Sequence, residues 1–226
     1  MHTAYNEAIE HINTELCVCI DSDDYMPDNA VEIILDFWKK NGSDEYAGIV
    51  GLDYTIDNHV IGDLLPDKKS VNLIDLLIGK YHIYNGDRTN VVRTELYKKV
   101  APMISFEGEK NFSPHYMHLQ ISKKYNFLVL NKNLRYVEYQ ADGMSNTIFK
   151  QYLNSPNSFI ETRKLYLSLP GISWKFKLRQ SIHLVSSGII ANKMTEVLKY
   201  IPSFGMTVLA VPCGLLLSKY IKIKAK

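Results

Sequence analysis

The stretch Leu16-Cys17-Val18-Cys19-Ile20-Asp21-Ser22-Asp23-Asp24 decides the fold, because a short apolar run ends there in three carboxylates within four residues. The run is compatible with a β-strand and bounded by charge, so it predicts a buried strand of an α/β sheet. At the carboxyl end of such a strand, side chains point into the crevice where α/β proteins bind ligands. Residues 16–24 therefore predict the fold class and the position of a site together.

Three neighbouring carboxylates favour a bound cation. Asp21, Asp23 and Asp24 would repel one another unless a positive group lies among them. Their oxygens suit Mg²⁺ or Mn²⁺, which proteins often hold together with substrate phosphates. The segment therefore predicts a metal and diphosphate site. The alternative is an acidic helix N-terminus that follows the strand, where carboxylates favour the helix dipole.

Other carboxylate motifs fit the same residues less well. An EF-hand loop needs glycine at its sixth position, where Met26 stands, and an oxygen ligand at its fifth, where Tyr25 stands. A phosphatase of the strand-then-DxD type is expected to continue with a small residue and then Thr or Val, which Asp24-Tyr25-Met26 does not provide. A nuclease carboxylate cluster stays open, although nothing in the sequence resembles a nucleic-acid surface.

Charge divides the chain into two parts. Residues 1–173 carry 17 Lys and Arg against 23 Asp and Glu, a net charge of −6, whereas residues 174–226 carry 9 against one, a net charge of +8. With 226 residues and 46% apolar content, the chain can bury a sizeable core. We therefore predict a catalytic domain over residues 1–173 and a basic tail over residues 174–226.

Cysteine usage and the start of the chain predict the compartment. The three cysteines form no CxxC pair, so we expect core residues in a reducing compartment rather than a disulfide or zinc framework. Residues 1–15 are polar and contain no apolar targeting segment. Both features predict the cytoplasm.

The basic tail predicts contact with a membrane surface. Its opening alternates apolar and basic side chains, and residues 200–218 are free of charge. A spanning helix needs about 20 apolar residues, and the prolines and glycines of this stretch instead favour an interfacial or re-entrant anchor on anionic lipid. The alternative is a buried terminal helix with a solvated lysine tail. The predicted membrane contacts are Trp174, Lys175, Lys177, Arg179, Lys219 and Lys222.

Periodicity and turn residues predict the remaining elements. Helices are expected over residues 3–14, 28–41, 73–78 and 93–100, and further strands over residues 47–54, 125–131 and 134–139.

Four blocks of the chain then carry a family resemblance. They are His2-Thr3-Ala4-Tyr5-Asn6 with the acidic segment, Gly86-Asp87-Arg88-Thr89-Asn90-Val91-Val92-Arg93-Thr94, Phe106-Glu107-Gly108-Glu109-Lys110, and Glu138-Tyr139 with Asp142-Gly143-Met144-Ser145. In this order they resemble a family 2 glycosyltransferase of the GT-A type, most of all the bacterial enzymes that build capsule, exopolysaccharide or lipopolysaccharide. The resemblance implies a Rossmann-like mixed sheet with flanking helices.

The resemblance also implies roles for individual residues. Asp21 and Asp23 would hold Mn²⁺ or Mg²⁺ on the donor diphosphate, with Asp24 as a supporting or alternative ligand. Glu109, or else Glu107, would be the base of an inverting sugar transfer, although Lys110 stands where other branches have the Asp of a Glu-Asp pair. The donor-binding residues would be His2 and Asn6, and the acceptor-side residues Asp87 and Arg88.

The implied partners are a nucleotide-sugar donor such as a UDP-sugar and a lipid-linked glycan acceptor, at the inner face of the plasma membrane. Family members normally begin with strands ending in Pro-x-Tyr-Asn and Asp-Asp-Gly-Ser, which bind the nucleoside and are absent here. The sequence therefore predicts a fold incomplete at its amino terminus. Either the chain is a fragment of a longer gene product, or a companion chain supplies the missing half. The alternative is a non-catalytic remnant or accessory subunit that retains the acceptor half and the membrane tail.

Overall fold

The computed structural model describes residues 2–83, 86–139, 143 and 146–226, with the backbone alone for residues 2 and 3. Its strands are β1 (Leu16–Val18), β2 (Tyr46–Thr55), β3 (Ser70–Val71), β4 (Arg88–Arg93) and β5 (Asn126–Val137). Its helices are α1 (His2–His11), α2 (Ala30–Asn41), α3 (Leu73–Leu77), α4 (Thr94–Val100), α5 (His115–Ser122), α6 (Ile148–Asn154), α7 (Pro156–Ser168), α8 (Trp174–Ile190), α9 (Met194–Val197) and α10 (Phe204–Lys224).

The five strands form one mixed sheet in the order β1-β4-β2-β5-β3. Strands β2 and β5 pair in parallel, and the other neighbours pair antiparallel. Helix α2 packs against this sheet through Ile34, which joins Ile49, Val91 and Leu128 in a buried cluster. A mixed sheet with flanking helices is the α/β fold class that the sequence predicts, and that prediction is confirmed.

The centre of the sheet is strand β2, which is buried from Ala47 to Asp53. Its Gly48 has a φ of +148°, and a Cβ there would lie 2.0 Å from the carbonyl oxygen of Val91. Only glycine allows strand β4 to approach so closely. On its other side, β2 pairs with β5 in a register that places Asp53 beside Arg135.

The structure corrects the predicted strand around the acidic segment. Strand β1 covers Leu16–Val18 rather than residues 16–20, is half-buried and lies at one end of the strand order. Cys17 is half-buried, whereas Cys19 and Cys213 are exposed, so the cysteines are not the core residues predicted from the sequence. Alternation of side chains along a strand leaves one face of such an edge open to solvent.

The strands predicted over residues 125–131 and 134–139 are both found, but not as separate strands. The segments predicted as separate strands form one strand, β5, because its pairing with β2 continues across a bulge between Leu130 and Asn133. Within the bulge, the Asn131 side chain exchanges hydrogen bonds with the backbone of Leu65, at 2.9 and 3.0 Å. Strand β4 was not predicted, and the helix expected from residue 93 begins at Thr94.

The described residues form two compact units. The sheet unit comprises Asn6–Pro102 and Met117–Tyr139, and the helical unit comprises Met1–Tyr5, Met103–Tyr116 and Gln140–Lys226. The predicted boundary at residue 173 falls inside the helical unit, between α7 and α8, and stays a prediction about function.

The core of the helical unit lies among helices α7 to α10. It includes Ile160, Leu184, Val197 and Ala210. Helix α10 is continuous although Pro212 lies inside it, so the prolines and glycines do not divide it. Proline removes one backbone hydrogen bond, and packing of α10 against α8 offsets that loss. The interfacial or re-entrant anchor stays a prediction.

Candidate functional site

The acidic segment forms a turn after strand β1. The backbone N–H of Asp24 donates to the carbonyl oxygen of Asp21 at 3.0 Å, and Tyr25 then forms a two-bond bridge with Tyr136 of β5. The two tyrosine rings stack with centroids 5.1 Å apart. Asp21 and Asp23 are exposed on this turn, whereas Asp24 points inward.

Arg135 holds the inward end of the turn. This residue of β5 makes an ion pair with Asp24, at 3.3 Å between Nη1 and Oδ2, and a second one through Nη2 with Asp53 of β2. Thr89 of β4 donates its hydroxyl to the other oxygen of Asp53 at 2.5 Å. The side chains of Asp53, Asp24 and Arg135 are 0%, 6% and 14% exposed, so these charges are shielded from water. We name Asp24, Asp53, Thr89 and Arg135 the arginine cluster.

The charges of this region favour a further cation. Burial raises the pKa of Asp24, Arg135 opposes that rise, and the like charges of Asp23 and Asp21 add to it. Burial alone would lower the pKa of Arg135, but its bonds to Asp53 and the charge of Asp24 raise that pKa, so the guanidinium stays charged. Because one guanidinium faces several carboxylates, the exposed turn keeps an excess of negative charge.

The exposed carboxylates offer oxygen ligands but do not form a metal site by themselves. Among the residues that the structure describes, no three His, Cys, Asp or Glu side chains form a group that could hold a metal ion by themselves. Mg²⁺ needs no such group, because it is commonly held by one or two carboxylates with water and substrate phosphates as the remaining ligands. Asp21 and Asp23 supply that number of carboxylates, while Asp24 is engaged by Arg135.

The predicted acceptor-side residues lie near the arginine cluster. Tyr139 donates its hydroxyl to Asp87 Oδ2 at 2.7 Å, and Asp87 interacts electrostatically with Asp53. Arg88 donates to the carbonyl oxygens of Ile61, Asp63 and Asp87, which ties the 61–63 loop to β4. Burial lowers the pKa of Arg88. The sheet unit therefore places Asp87 and Arg88 close to Asp53 of the arginine cluster.

The two predicted bases belong to the helical unit and differ in surroundings. Glu107 is exposed, whereas Glu109 is buried. The backbone N–H and side-chain amide of Asn157 donate to Glu109 Oε1, at 2.8 and 2.7 Å. The backbone N–H and hydroxyl of Ser158 donate to Oε2, at 2.8 and 2.6 Å. Glu109 therefore caps the N-terminus of helix α7, where a negative charge also favours the helix dipole.

Of the two predicted donor-binding residues, His2 and Asn6, the structure describes the side chain of Asn6 alone. The side chain of His2 lies outside the described residues, as do Asp142, Met144 and Ser145 of the fourth sequence block. Asn6 lies on α1 and lines a shallow cleft with Ile9, Lys98 and Pro102. The structure does not bring Asn6 into the arginine cluster.

The predicted membrane contacts all lie in the helical unit. Trp174, Lys175 and Arg179 line an open groove along the first half of α8, together with Leu178, Ile182 and His183. Lys177 is half-buried on the same helix, and Lys219 and Lys222 are exposed on α10.

Three residues of the arginine cluster, Arg135, Asp53 and Thr89, were not predicted as site residues from the sequence. Asp53 carried a signal, because a single carboxylate inside the apolar strand Ala47-Gly48-Ile49-Val50-Gly51-Leu52-Asp53 requires a buried partner. No local pattern identifies Arg135 as that partner, since 82 residues separate the two.

Comparisons with known proteins bear on the class of protein. The sequence model of the family described as Glycosyl transferase family 2 matches residues 1–69, which include the acidic turn and β2. No curated protein matches the chain. Among solved structures, 21 chains match, including the crystal structure of S. aureus TarS 1-349, with 14% identity, a TM-score of 0.40, and coverage of 99% of this chain and 67% of that chain. The family match supports a glycosyltransferase, and thus glycosyl transfer as the general activity.

Proposed function

We propose that the chain is a metal-assisted, inverting glycosyltransferase that moves a sugar from a nucleoside-diphosphate donor, a UDP-sugar, to a lipid-linked cell-surface glycan. The observation that carries this proposal is the acidic turn, where Asp21 and Asp23 are exposed while Arg135 holds Asp24. This turn lies in the part of the chain that the family 2 model matches.

Asp21 and Asp23 are the proposed ligands of Mg²⁺ or Mn²⁺. When bound, the ion would act as a Lewis acid that stabilises the departing diphosphate. The Arg135–Asp24 ion pair and the Tyr25–Tyr136 bridge would hold the turn in place while the diphosphate binds. Preorganisation of this kind lowers the cost of ordering the ligands on binding.

Glu109 and Glu107 are the proposed bases. An inverting transfer needs a carboxylate that takes the proton of the acceptor hydroxyl, which contributes about 10²–10⁴-fold to the rate. Glu107 has the exposure that a base needs, and Glu109 is held in place by hydrogen bonds from the N-terminus of α7. Asp87 and Arg88 are proposed to face the acceptor, and His2 and Asn6 the donor.

The proposed setting is the cytoplasmic face of a bacterial plasma membrane, in the synthesis of a surface polysaccharide. The net charge of +8 over residues 174–226 supports attraction to anionic lipid. A companion chain that carries nucleoside-binding strands stays a prediction.

Calorimetric titration with UDP tests the proposal directly. We expect UDP to bind in the presence of Mn²⁺ and at least about ten times more weakly without it, since the ion bridges carboxylates and phosphates. Asp23→Asn should abolish the manganese dependence. Asp28→Asn, an exposed carboxylate close by in sequence, is the matched control and should bind as the unmodified chain does. Equal binding by Asp23→Asn and the unmodified chain would refute the metal assignment.

A second candidate function is a non-catalytic accessory subunit. It is favoured by the engagement of two candidate site residues in structural contacts, Glu109 with α7 and Arg88 with three backbone carbonyls. Release of UDP from a set of UDP-sugars, measured with and without lipid-linked acceptor, distinguishes the two functions. An accessory subunit would bind UDP or acceptor without any turnover.

A further inference from the structure

Helix α10 packs small side chains against the protein and exposes most of its large apolar ones. Its buried positions recur every three or four residues. The three in the middle, Ala210, Gly214 and Ser218, carry small side chains, and they lie between Met206 and Ile221. A Cβ on Gly214 would lie 2.4 Å from Val185 Cγ1, so α8 approaches the α10 backbone closely. The close contact between these helices therefore uses little of the apolar side-chain area that α10 carries.

The large apolar side chains of α10 lie on the opposite side of the helix. Phe204, Leu216 and Ile223 are 84%, 68% and 69% exposed. We name this surface the outer face of α10; its members are Phe204, Val208, Leu209, Leu215, Leu216, Tyr220 and Ile223. A helix on the surface of a water-soluble protein normally buries its large apolar residues and exposes polar ones. Contiguous apolar exposure of this kind marks an interaction surface.

Charge at the end of the helix indicates which partner covers the outer face. Lys219, Lys222, Lys224 and Lys226 follow the uncharged stretch. None of these lysines forms an ion pair with a carboxylate in the part of the chain that the structure describes. An apolar face that ends in unpaired lysines matches a surface with an apolar interior and anionic headgroups.

We infer that the outer face of α10 docks on an anionic lipid bilayer, with the helix lying in the plane of the interface. Helix α10 is long and apolar enough to cross a membrane by length and composition alone. Its other face, however, packs against α8 and shares a buried core with α7 and α9, which carry the charged residues Glu161, Lys164 and Glu196. A spanning α10 would carry these charges into hydrocarbon, whereas a helix at the interface leaves them in the headgroup region.

This inference rests on the membrane contact of the proposed function, and its test needs no nucleotide, metal or sugar. The full chain is sedimented with vesicles of phosphatidylcholine alone or with added phosphatidylglycerol. We expect Leu216→Asp with Ile223→Asp to weaken binding at least about 30-fold. Leu35→Asp with Leu64→Asp is the matched control, because these leucines are 56% and 58% exposed in the sheet unit.

Two further measurements separate the possible modes of contact. Replacing the four lysines with Gln should remove the preference for phosphatidylglycerol, whereas the same change at Lys39, Lys40, Lys123 and Lys124 should not. Alkaline carbonate should release the bound chain if α10 lies at the interface; retention would refute that orientation. The inference would be overturned if the variant with Leu216→Asp and Ile223→Asp bound vesicles as well as the unmodified chain does. Loss of self-association by that variant, without any lipid binding by the unmodified chain, would assign the outer face to a second copy instead.

Discussion

Replacing Arg135 with Met is expected to destabilise the sheet unit by about 3–5 kcal/mol, because it leaves two carboxylates without their cation. Asp53 is fully buried and Asp24 nearly so, and both make ion pairs with the Arg135 guanidinium. Breaking a buried ion pair on one side costs far more than replacing both partners, since a lone buried charge keeps its full desolvation penalty. Domains are stable by about 5–15 kcal/mol, so this loss is large.

A double-mutant cycle measures the effect. Arg135→Met with Asp53→Asn removes the guanidinium and one of the two buried charges, and should recover about 2–4 kcal/mol of the loss. Urea unfolding is followed by fluorescence of Trp38, which lies on α2 of the sheet unit, in a Trp174→Phe background. Arg135→Lys provides a milder variant that keeps the charge if Arg135→Met does not fold. The reasoning would be refuted if the free energy of unfolding of Arg135→Met lay within about 1 kcal/mol of that of the parent. It would also be refuted if adding Asp53→Asn to Arg135→Met gave no gain in stability.

The remaining predictions concern two other carboxylates. Glu109→Gln should lower the free energy of unfolding by about 1.5–3 kcal/mol in thermal or urea denaturation, because an amide cannot accept all the hydrogen bonds from Asn157 and Ser158. Glu107→Gln, at an exposed position, should change it by less than about 0.5 kcal/mol. A Glu109→Gln chain that is folded and as active as the parent would exclude Glu109 as the base. Burial raises the pKa of Asp24 in the folded state, so the folded chain binds a proton on this carboxyl more tightly than the unfolded chain does. The free energy of unfolding should therefore fall as the pH rises from about 4 through the raised pKa. Asp24→Asn should flatten this slope in urea titrations from pH 4 to 7, and an unchanged slope would contradict the assignment.

Local pattern predicted much of the fold. Helical periodicity from Val31 to Trp38 predicted α2, and the apolar run from Ala47 predicted β2. Strand β4 escaped prediction because Arg88, Thr89 and Asn90 open it with polar side chains, although its neighbours bury much of it. The single long strand β5 escaped because its bulge at Asn131 has the local appearance of a turn.

Only part of the candidate site could be predicted from the sequence. The acidic segment could be named as a candidate site because three carboxylates stand together in the sequence, where mutual repulsion gives a local reason for a cation. The metal site itself stays a prediction. The hydrogen bonds that Glu109 accepts were not predicted, because their donors lie 48 and 49 residues away on α7. Nothing near Glu109 in the sequence distinguishes a capping carboxylate from a base.

The sequence by itself determined the α/β class, the acidic turn and the basic, apolar tail, because each of these follows from neighbouring residues and their periodicity. Only the tertiary structure decided that Arg135 pairs with both Asp24 and Asp53, that Glu109 caps α7, and that α10 exposes most of its large apolar side chains. These outcomes depend on strand register and helix packing, which bring together residues far apart in the chain. Burial then gives each such contact its energy, since a charge or an apolar surface has a different free energy in water and in the protein interior.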